Sequence, residues 1–332
     1  MNKSDSERIA TVLESRGYEP TSKINEADLI VVNMCSVRQS AVDRVYGLIP
    51  KFQKLKTKNE KLKTILTGCI VKEDKRKFAE GFDQILRFKD LLKYQPKYQD
   101  KSVAFIPISN GCNMACTYCV VPFVRGPLIC RSHLDVLKEV KNAVQKGFRE
   151  IWLLGQNVND YKSLINRESD SRIINFAKLL KMVNDISGNF KFFFTSPHPK
   201  NFSDELINTL AKCKKFGKYL NLPVQSGDNE ILKKMNRPYN ISQYKNLVKK
   251  IRKKIPEIRL STDVIVGFPG ETKKQFQNTV KLFKEIKFNW AYIAKYSPRP
   301  GTVAALKMED NVPLEEKKRR EKCLREIINT RC

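Results

Sequence analysis

Three cysteines fall within eight positions of the stretch "GCNMACTYC", residues 111–119. Cys112, Cys116 and Cys119 follow the spacing C-x3-C-x2-C. Thiolates are soft ligands, suited to zinc and to iron–sulfur clusters. A structural zinc site wants four ligands, usually in paired C-x2-C halves, and no second C-x2-C occurs in the chain. A 4Fe–4S cubane has four irons, each wanting a ligand. Three cysteines therefore leave one iron open, and an open iron can chelate a substrate. Of the other cysteines, Cys35 and Cys69 each end an apolar run. Cys213 reads as packing on a helix face, and Cys130, Cys323 and Cys332 have no partners at ligand spacing. Nine cysteines at irregular spacing suggest metal or redox chemistry rather than a disulfide framework.

The elements that must hold these residues fall into two segments. In residues 1–98 strand and helix patterns alternate. A helix is expected over 4–16, a buried strand over 27–36 and a second strand over 63–71. "SVRQSAVDRVYGLIPKFQKLK" reads as helix, either ending near Pro50 or passing it with a kink. A charged helix, a short strand at 83–88 and a linker at 93–101 follow. Residues 99–310 hold six strand-like runs, at 103–109, 150–156, 191–196, 219–225, 258–267 and 290–297, most of them separated by amphipathic helices. One helix opens on a capping box, Thr272 with Gln275. Such repetition gives a parallel sheet that can curl into an open or closed barrel. The fold class is thus α/β: an N-terminal three-layer α/β domain, then a six-strand partial (β/α) barrel. Residues 311–332 form a C-terminal helix.

Polar or small residues gather where each run ends: Ser109, Gln156 with Asn157, Ser196 with His198, Gln225 with Ser226, Gly267 with Gly270, and Ser297. In parallel β/α folds these ends share one rim, where ligands bind. Strand ends are also polar simply because loops follow them. The chain has 332 residues, 41% of them hydrophobic, and a net charge of +28. A polyanion partner, most commonly nucleic acid, is the natural reading of that charge, although a Lys-rich composition without a partner produces the same number. No run of 18 apolar residues occurs and the N-terminus has no signal-peptide apolar core, so a cytoplasmic location is expected.

With these motifs in place, the chain resembles the radical S-adenosylmethionine (SAM) enzymes, which carry C-x3-C-x2-C after the first barrel strand. "CTYCVVPFVRG", "LLGQNVNDY", "FTSPHP", "LPVQSGDNEILKKMNR", "STDVIVGFPGET" and "YSPRPGT" are similar to the methylthiotransferases among them. "NMCSVRQSAVDRVYG" and "GQNVNDY" resemble the branch that acts on tRNA rather than on a ribosomal protein. The resemblance implies an enzyme that places a methylthio group on carbon 2 of a prenylated adenosine beside the anticodon. It also implies an electron donor such as flavodoxin or ferredoxin, a sulfur source, a monomer and no membrane partner. Cys112, Cys116 and Cys119 would hold a 4Fe–4S cluster whose open iron binds SAM. Tyr118, Gln156, Asn157, Ser196, Gln225 and Asp263 would contact SAM. Arg237 would pair with a carboxylate or phosphate, or form a surface salt bridge, and His198 would be structural.

The same resemblance gives Cys35 and Cys69 to a second 4Fe–4S cluster in the N-terminal domain. In the family a third cysteine of that cluster, and the strand carrying it, precede the position where this chain begins. The family also continues past the C-terminal helix into a small RNA-binding β-barrel, the TRAM domain. The chain is therefore expected to be shortened at both ends. Two alternatives stand beside this reading: a methylthiotransferase for another tRNA adenosine or a ribosomal protein, and a non-catalytic iron–sulfur or RNA-binding remnant.

Overall fold

A computed structural model describes residues 1–88, 90–164 and 173–330. Cys332 lies outside them. The chain divides into two compact units. One comprises Met1–Lys101, Cys119–Gly126 and Arg299–Gly301; the other holds Ser102–Tyr118, Pro127–Pro298 and Thr302–Cys332. Among the described residues no helix is long and apolar enough to cross a membrane.

The first unit opens with α1 (Asn2–Glu14), followed by β1 (Leu29–Cys35), α2 (Gln39–Tyr46), α3 (Ile49–Lys56), β2 (Lys63–Cys69), α4 (Lys72–Phe78) and the short β3 (Gln84–Ile85). The strands form a parallel sheet in the order β1-β2-β3. The helical stretch around Pro50 breaks before the proline: α2 ends at Tyr46, and Pro50 sits in the first turn of α3. There its missing N–H costs nothing, because the first-turn donors of a helix have no intrahelical partner. Met34, Val42, Val45, Phe52, Leu66, Ile70, Phe78 and Phe82 make the core. A short helix, α5 (Val121–Arg125), belongs to the same unit, and its Val124 packs with Val120, Val71 and Cys69.

The second unit carries β4 (Val103–Pro107), a hairpin of β5 (Ser109–Asn110) and β6 (Ile129–Cys130), α6 (His133–Gln145), β7 (Glu150–Leu154), and a hairpin of β8 (Lys162–Leu164) and β9 (Ile173–Asn175). Then come α7 (Phe176–Asn184), β10 (Lys191–Phe194), α8 (Asp204–Lys212), β11 (Tyr219–Asn221), α9 (Asn229–Lys234), α10 (Ile241–Lys254), β12 (Arg259–Val266), α11 (Lys273–Ile286), β13 (Trp290–Lys295), α12 (Val303–Lys307) and α13 (Leu314–Asn329). All six long runs become strands and all pair in parallel, as two ladders, β4-β7-β10 and β11-β12-β13. A parallel bridge between Phe192 and Phe216 joins them, with the Phe192 N–H on the Lys215 carbonyl at 2.9 Å and the Gly217 N–H on the Phe192 carbonyl at 3.0 Å.

The fourth run is shorter than its sequence suggests. The Leu222 carbonyl accepts the Tyr244 and Thr262 hydroxyls, and the Val224 N–H turns to the Thr262 hydroxyl, so β11 stops at Asn221 and pairing resumes only as a bridge from Gln225 to Val264. The capping box on Thr272 and Gln275 forms, and a second one, Asn240 with Gln243, starts α10. Cys213 is the buried C-cap of α8, and burial pushes its thiol up to about 11.

Candidate functional site

The loop carrying Cys112 and Cys116 leaves the end of β5 and is stitched to the end of α9. Asp228 caps the start of α9 by accepting the Glu230 and Ile231 N–H groups. At its other end the Thr117 N–H donates to the Met235 carbonyl at 3.2 Å, and the Thr117 hydroxyl donates to the Lys234 carbonyl at 2.9 Å. Asn236, in the left-handed region at φ +54°, donates its amide to the Ala115 carbonyl at 2.8 Å. Asn tolerates that region better than most residues. The next residue, Arg237, is 8% exposed, which overturns the surface salt bridge. Its guanidinium donates to the Tyr239 hydroxyl at 2.9 Å, to the Pro223 carbonyl at 3.2 Å and to the Cys116 sulfur at 3.5 Å. The Met114 N–H donates to the Cys112 sulfur at 3.4 Å. Burial still pushes the Cys112 thiol up, against that bond. Tyr118 lies edge-on to Phe268 at 6.4 Å, in an apolar cluster with Ile231, Met235 and Tyr296.

Around the strand ends the remaining expected residues take distinct places. The Gln156 side-chain oxygen accepts the Gly111 N–H at 2.6 Å and so anchors the start of the cysteine loop. Asn157 is 1% exposed, and both polar atoms of its amide lack a protein partner. The Ser109 hydroxyl is likewise buried and unpartnered. A Cβ on Gly155 would stand 2.6 Å from that hydroxyl, so glycine is what lets the two segments approach. Ser196 and Gln225 are held at φ +56° and +70°. Gln225 hydrogen-bonds through its backbone to both Asp263 and Ile265. Asp263 lies mid-strand on β12 and accepts the Asn221 amide at 2.7 Å.

His198 exchanges hydrogen bonds with the Asn159 side chain, and its Nδ1 accepts the Lys200 N–H at 3.2 Å. Its proton therefore sits on Nε2, which is buried without a partner. Burial first, then the Arg237 and Lys200 cations, lower its pKa to about 3 and keep the ring neutral.

In the first unit Cys35 and Cys69 are register partners at the ends of β1 and β2. Adjacent strands lie about 4.8 Å apart, so the two thiols share one sheet edge. Gly68, at φ +103°, makes this approach possible: a Cβ there would lie 2.3 Å from the Met34 carbonyl oxygen. Sequence reading missed Arg125, the last residue of α5. Its Nε–H donates to the Cys69 sulfur at 2.9 Å, and its Nη2 reaches Asn2 at 2.9 Å and Asp5 at 2.7 Å. Its only sequence signal is a cation six residues after the last cysteine of the motif. Burial pushes the Cys69 thiol up, and the Arg125 cation opposes that.

Among the described residues no three His, Cys, Asp or Glu side chains converge tightly enough to hold a metal ion as they stand. The donor set nevertheless suits an iron–sulfur cluster and a polar cofactor. Thiols are the ligands such clusters take, and a buried cation stands beside Cys116. The unpartnered Ser109 hydroxyl, Asn157 amide and His198 Nε2–H offer hydrogen bonds that the protein itself leaves unmade.

Comparison with known proteins agrees with this chemistry. The sequence model of the Radical SAM superfamily matches residues 106–283, and that of the uncharacterized protein family UPF0004 matches residues 1–87. The tRNA-2-methylthio-N(6)-dimethylallyladenosine synthase of Clostridium botulinum (strain Langeland) is 40% identical over 363 aligned residues, covering 99% of this chain and 79% of that enzyme. The enzyme of the same name from Acetivibrio thermocellus is 39% identical, over 99% of this chain and 74% of its own. The fold is similar to that of TsrM, a radical S-adenosylmethionine methyltransferase from Kitasatospora setae, with a TM-score of 0.63 at 15% identity over 92% of this chain and 72% of that one. It is also similar to that of the cobalamin-dependent radical enzyme OxsB, with a TM-score of 0.57 at 12% identity over 99% of this chain and 50% of that one. The chain belongs to the Radical SAM superfamily and, within it, to the family of the tRNA-2-methylthio-N(6)-dimethylallyladenosine synthases.

Proposed function

We propose that the chain is a tRNA methylthiotransferase, acting on carbon 2 of N(6)-dimethylallyladenosine beside the anticodon. The observation that carries this is identity of about 40% to enzymes of that name across both units, not over the barrel alone. Cys112, Cys116 and Cys119 hold a 4Fe–4S cluster with an open iron that takes SAM. When bound, this pair supplies the radical that removes hydrogen from the target carbon. Gln156 fixes the loop that presents Cys112. Asn157 and Ser109 give SAM the hydrogen bonds that they do not make within the protein. Tyr118, Ser196, Gln225 and Asp263 complete its surroundings. A second cluster forms on Cys35 and Cys69, with the Arg125 guanidinium balancing its thiolate charge. A base worked on at such a rim must leave its stack, so the adenosine enters flipped out of the anticodon loop.

The test is anaerobic reconstitution followed by reaction with prenylated tRNA, with nucleosides read by mass spectrometry. About eight irons per chain, falling to about four in Cys112→Ala, and a methylthio product on the prenylated adenosine support the reading. Product on a threonylcarbamoyl-modified adenosine or on a ribosomal protein would move the substrate assignment to that sister class. Failure of the reduced protein to cleave SAM would point to a remnant without catalysis.

A further inference from the structure

Arg237 presents an electrostatic problem that the fold does not solve by itself. A guanidinium cannot be deprotonated at any relevant pH. Burying such a charge is costly unless an anion pairs with it. Yet the partners of this 8%-exposed side chain are a carbonyl, a phenol and a thiol. Among the described residues no carboxylate lies within salt-bridge distance of it. The side chain is nonetheless firmly placed. Tyr239 accepts its Nε–H, and the guanidinium also lies over the Tyr239 ring at 5.1 Å. The Tyr239 hydroxyl in turn reaches the Pro223 and Val224 carbonyls, at 3.2 and 3.0 Å. The Arg237 N–H closes on the Leu232 carbonyl at 2.8 Å. The end of α9 is itself bonded to the cysteine loop through Thr117 and Asn236. A rigid cation is thus aimed at one sulfur, that of Cys116, with no counter-charge of its own.

We propose that Arg237 is the counter-cation of the SAM-binding cluster, a positioning residue that makes the cluster easier to reduce. The inference rests on the functional reading above, which gives Cys116 to that cluster. A 4Fe–4S core held by three thiolates carries net negative charge in its oxidised state. The electron that starts the reaction comes from a one-electron reductant of the flavin or iron–sulfur type, and it adds one more negative charge. Arg237 is near enough to favour that added charge, and Tyr239 keeps it from swinging away. Because the Arg237 guanidinium is buried, its effect is screened less by water or salt than that of a surface charge.

The experiment is a redox titration of the reconstituted chain, followed by electron paramagnetic resonance. It uses a Cys35→Ala/Cys69→Ala background so that a single cluster is read. Arg237→Gln removes the charge, Arg237→Lys keeps it, and Tyr239→Phe loosens its hold. In Arg237→Gln the midpoint potential is expected to become more negative by at least about 59 mV, tenfold in the one-electron equilibrium constant. Arg237→Lys should recover most of this, and Tyr239→Phe should fall between, all with parental iron content. Full iron content with an unmoved potential in Arg237→Gln would overturn the proposal and leave the cluster assignment standing. Equal iron loss in Gln and Lys variants, with Tyr239→Phe keeping both iron and parental potential, would also overturn it, because the role would then be structural. Absence of any Cys112-dependent cluster in the background chain would sink the functional reading as well.

Discussion

At the residue scale the site is distinguished by polar groups that the folded chain leaves without partners. Asn157 is the clearest: a 1%-exposed amide with neither end bonded. Leaving a buried polar group unsatisfied costs about 1–3 kcal/mol, which a fold tolerates where a ligand later makes the bonds. Asn157→Leu is therefore expected to raise the thermal midpoint of the cofactor-free chain while weakening SAM binding about tenfold or more, a loss of about 1.4 kcal/mol. Differential scanning fluorimetry and calorimetric titration check the two halves, and a fall in both would make Asn157 merely structural. His198 gives a pH signature. In the folded chain it titrates near pH 3, against about 6.5 for an unfolded histidine. Its folded pKa lies below the unfolded one, so the unfolded chain binds the extra proton between those values. Stability from this group is complete above about pH 6.5 and is lost as pH falls towards 3, by up to about 1.4 kcal/mol per pH unit. His198→Asn, which keeps an acceptor for the Lys200 N–H, should flatten that part of the curve. Urea midpoints of both proteins from pH 4 to 7 are the measurement, and parallel curves would exclude the effect.

At the scale of elements, strands were legible because apolar runs such as "KTILTGC" and "EIWLL" are long and bounded. What could not be read was how they join. The single bridge between β10 and β11 and the early end of β11 depend on contacts between residues more than twenty positions apart. Left-handed backbone at Ser196 and Gln225 left no mark in the sequence either, since neither is glycine or asparagine. The cysteine triplet was legible from spacing alone, whereas Arg125 and Tyr239 were not, because their roles depend on which segments fold beside them. Gly68 shows how one element feature positions chemistry. An alanine there must adopt φ +103° and also meet the Met34 carbonyl at 2.3 Å. Gly126, in the same unit at φ +80°, has open space around its would-be Cβ. Gly126→Ala should cost only backbone strain, about 1–3 kcal/mol, while Gly68→Ala should cost measurably more and part Cys35 from Cys69. Urea unfolding gives the difference, and iron content reports the cysteine pair. Equal destabilisation would mean that β1 and β2 can yield without separating their ends.

At the scale of the whole molecule the net charge of +28 asks for a partner, and a prenylated tRNA meets that demand. If the charge serves RNA binding, affinity must follow counterion release. Six phosphates neutralised in a single-stranded loop give a slope of log K against log salt of about −4. The chain is expected to show a slope at least this steep with an anticodon stem-loop between 50 and 200 mM salt, measured by fluorescence anisotropy. Specific lysines can then be assigned. Along and after α3, Phe52 and Leu62 turn inward while Lys51, Lys54, Lys58, Lys61 and Lys63 stand exposed. Lys56 is engaged by Asp83 at 2.7 Å. Replacing Lys54, Lys58 and Lys61 by alanine removes three charges that no carboxylate among the described residues holds. If all three meet phosphate, the slope should become shallower by about 2, because each contributes about 0.7. An unchanged slope would place the RNA on another face of the chain. A parental slope shallower than about −1 would mean that the lysine excess is compositional, and that the adenosine is held by the rim alone.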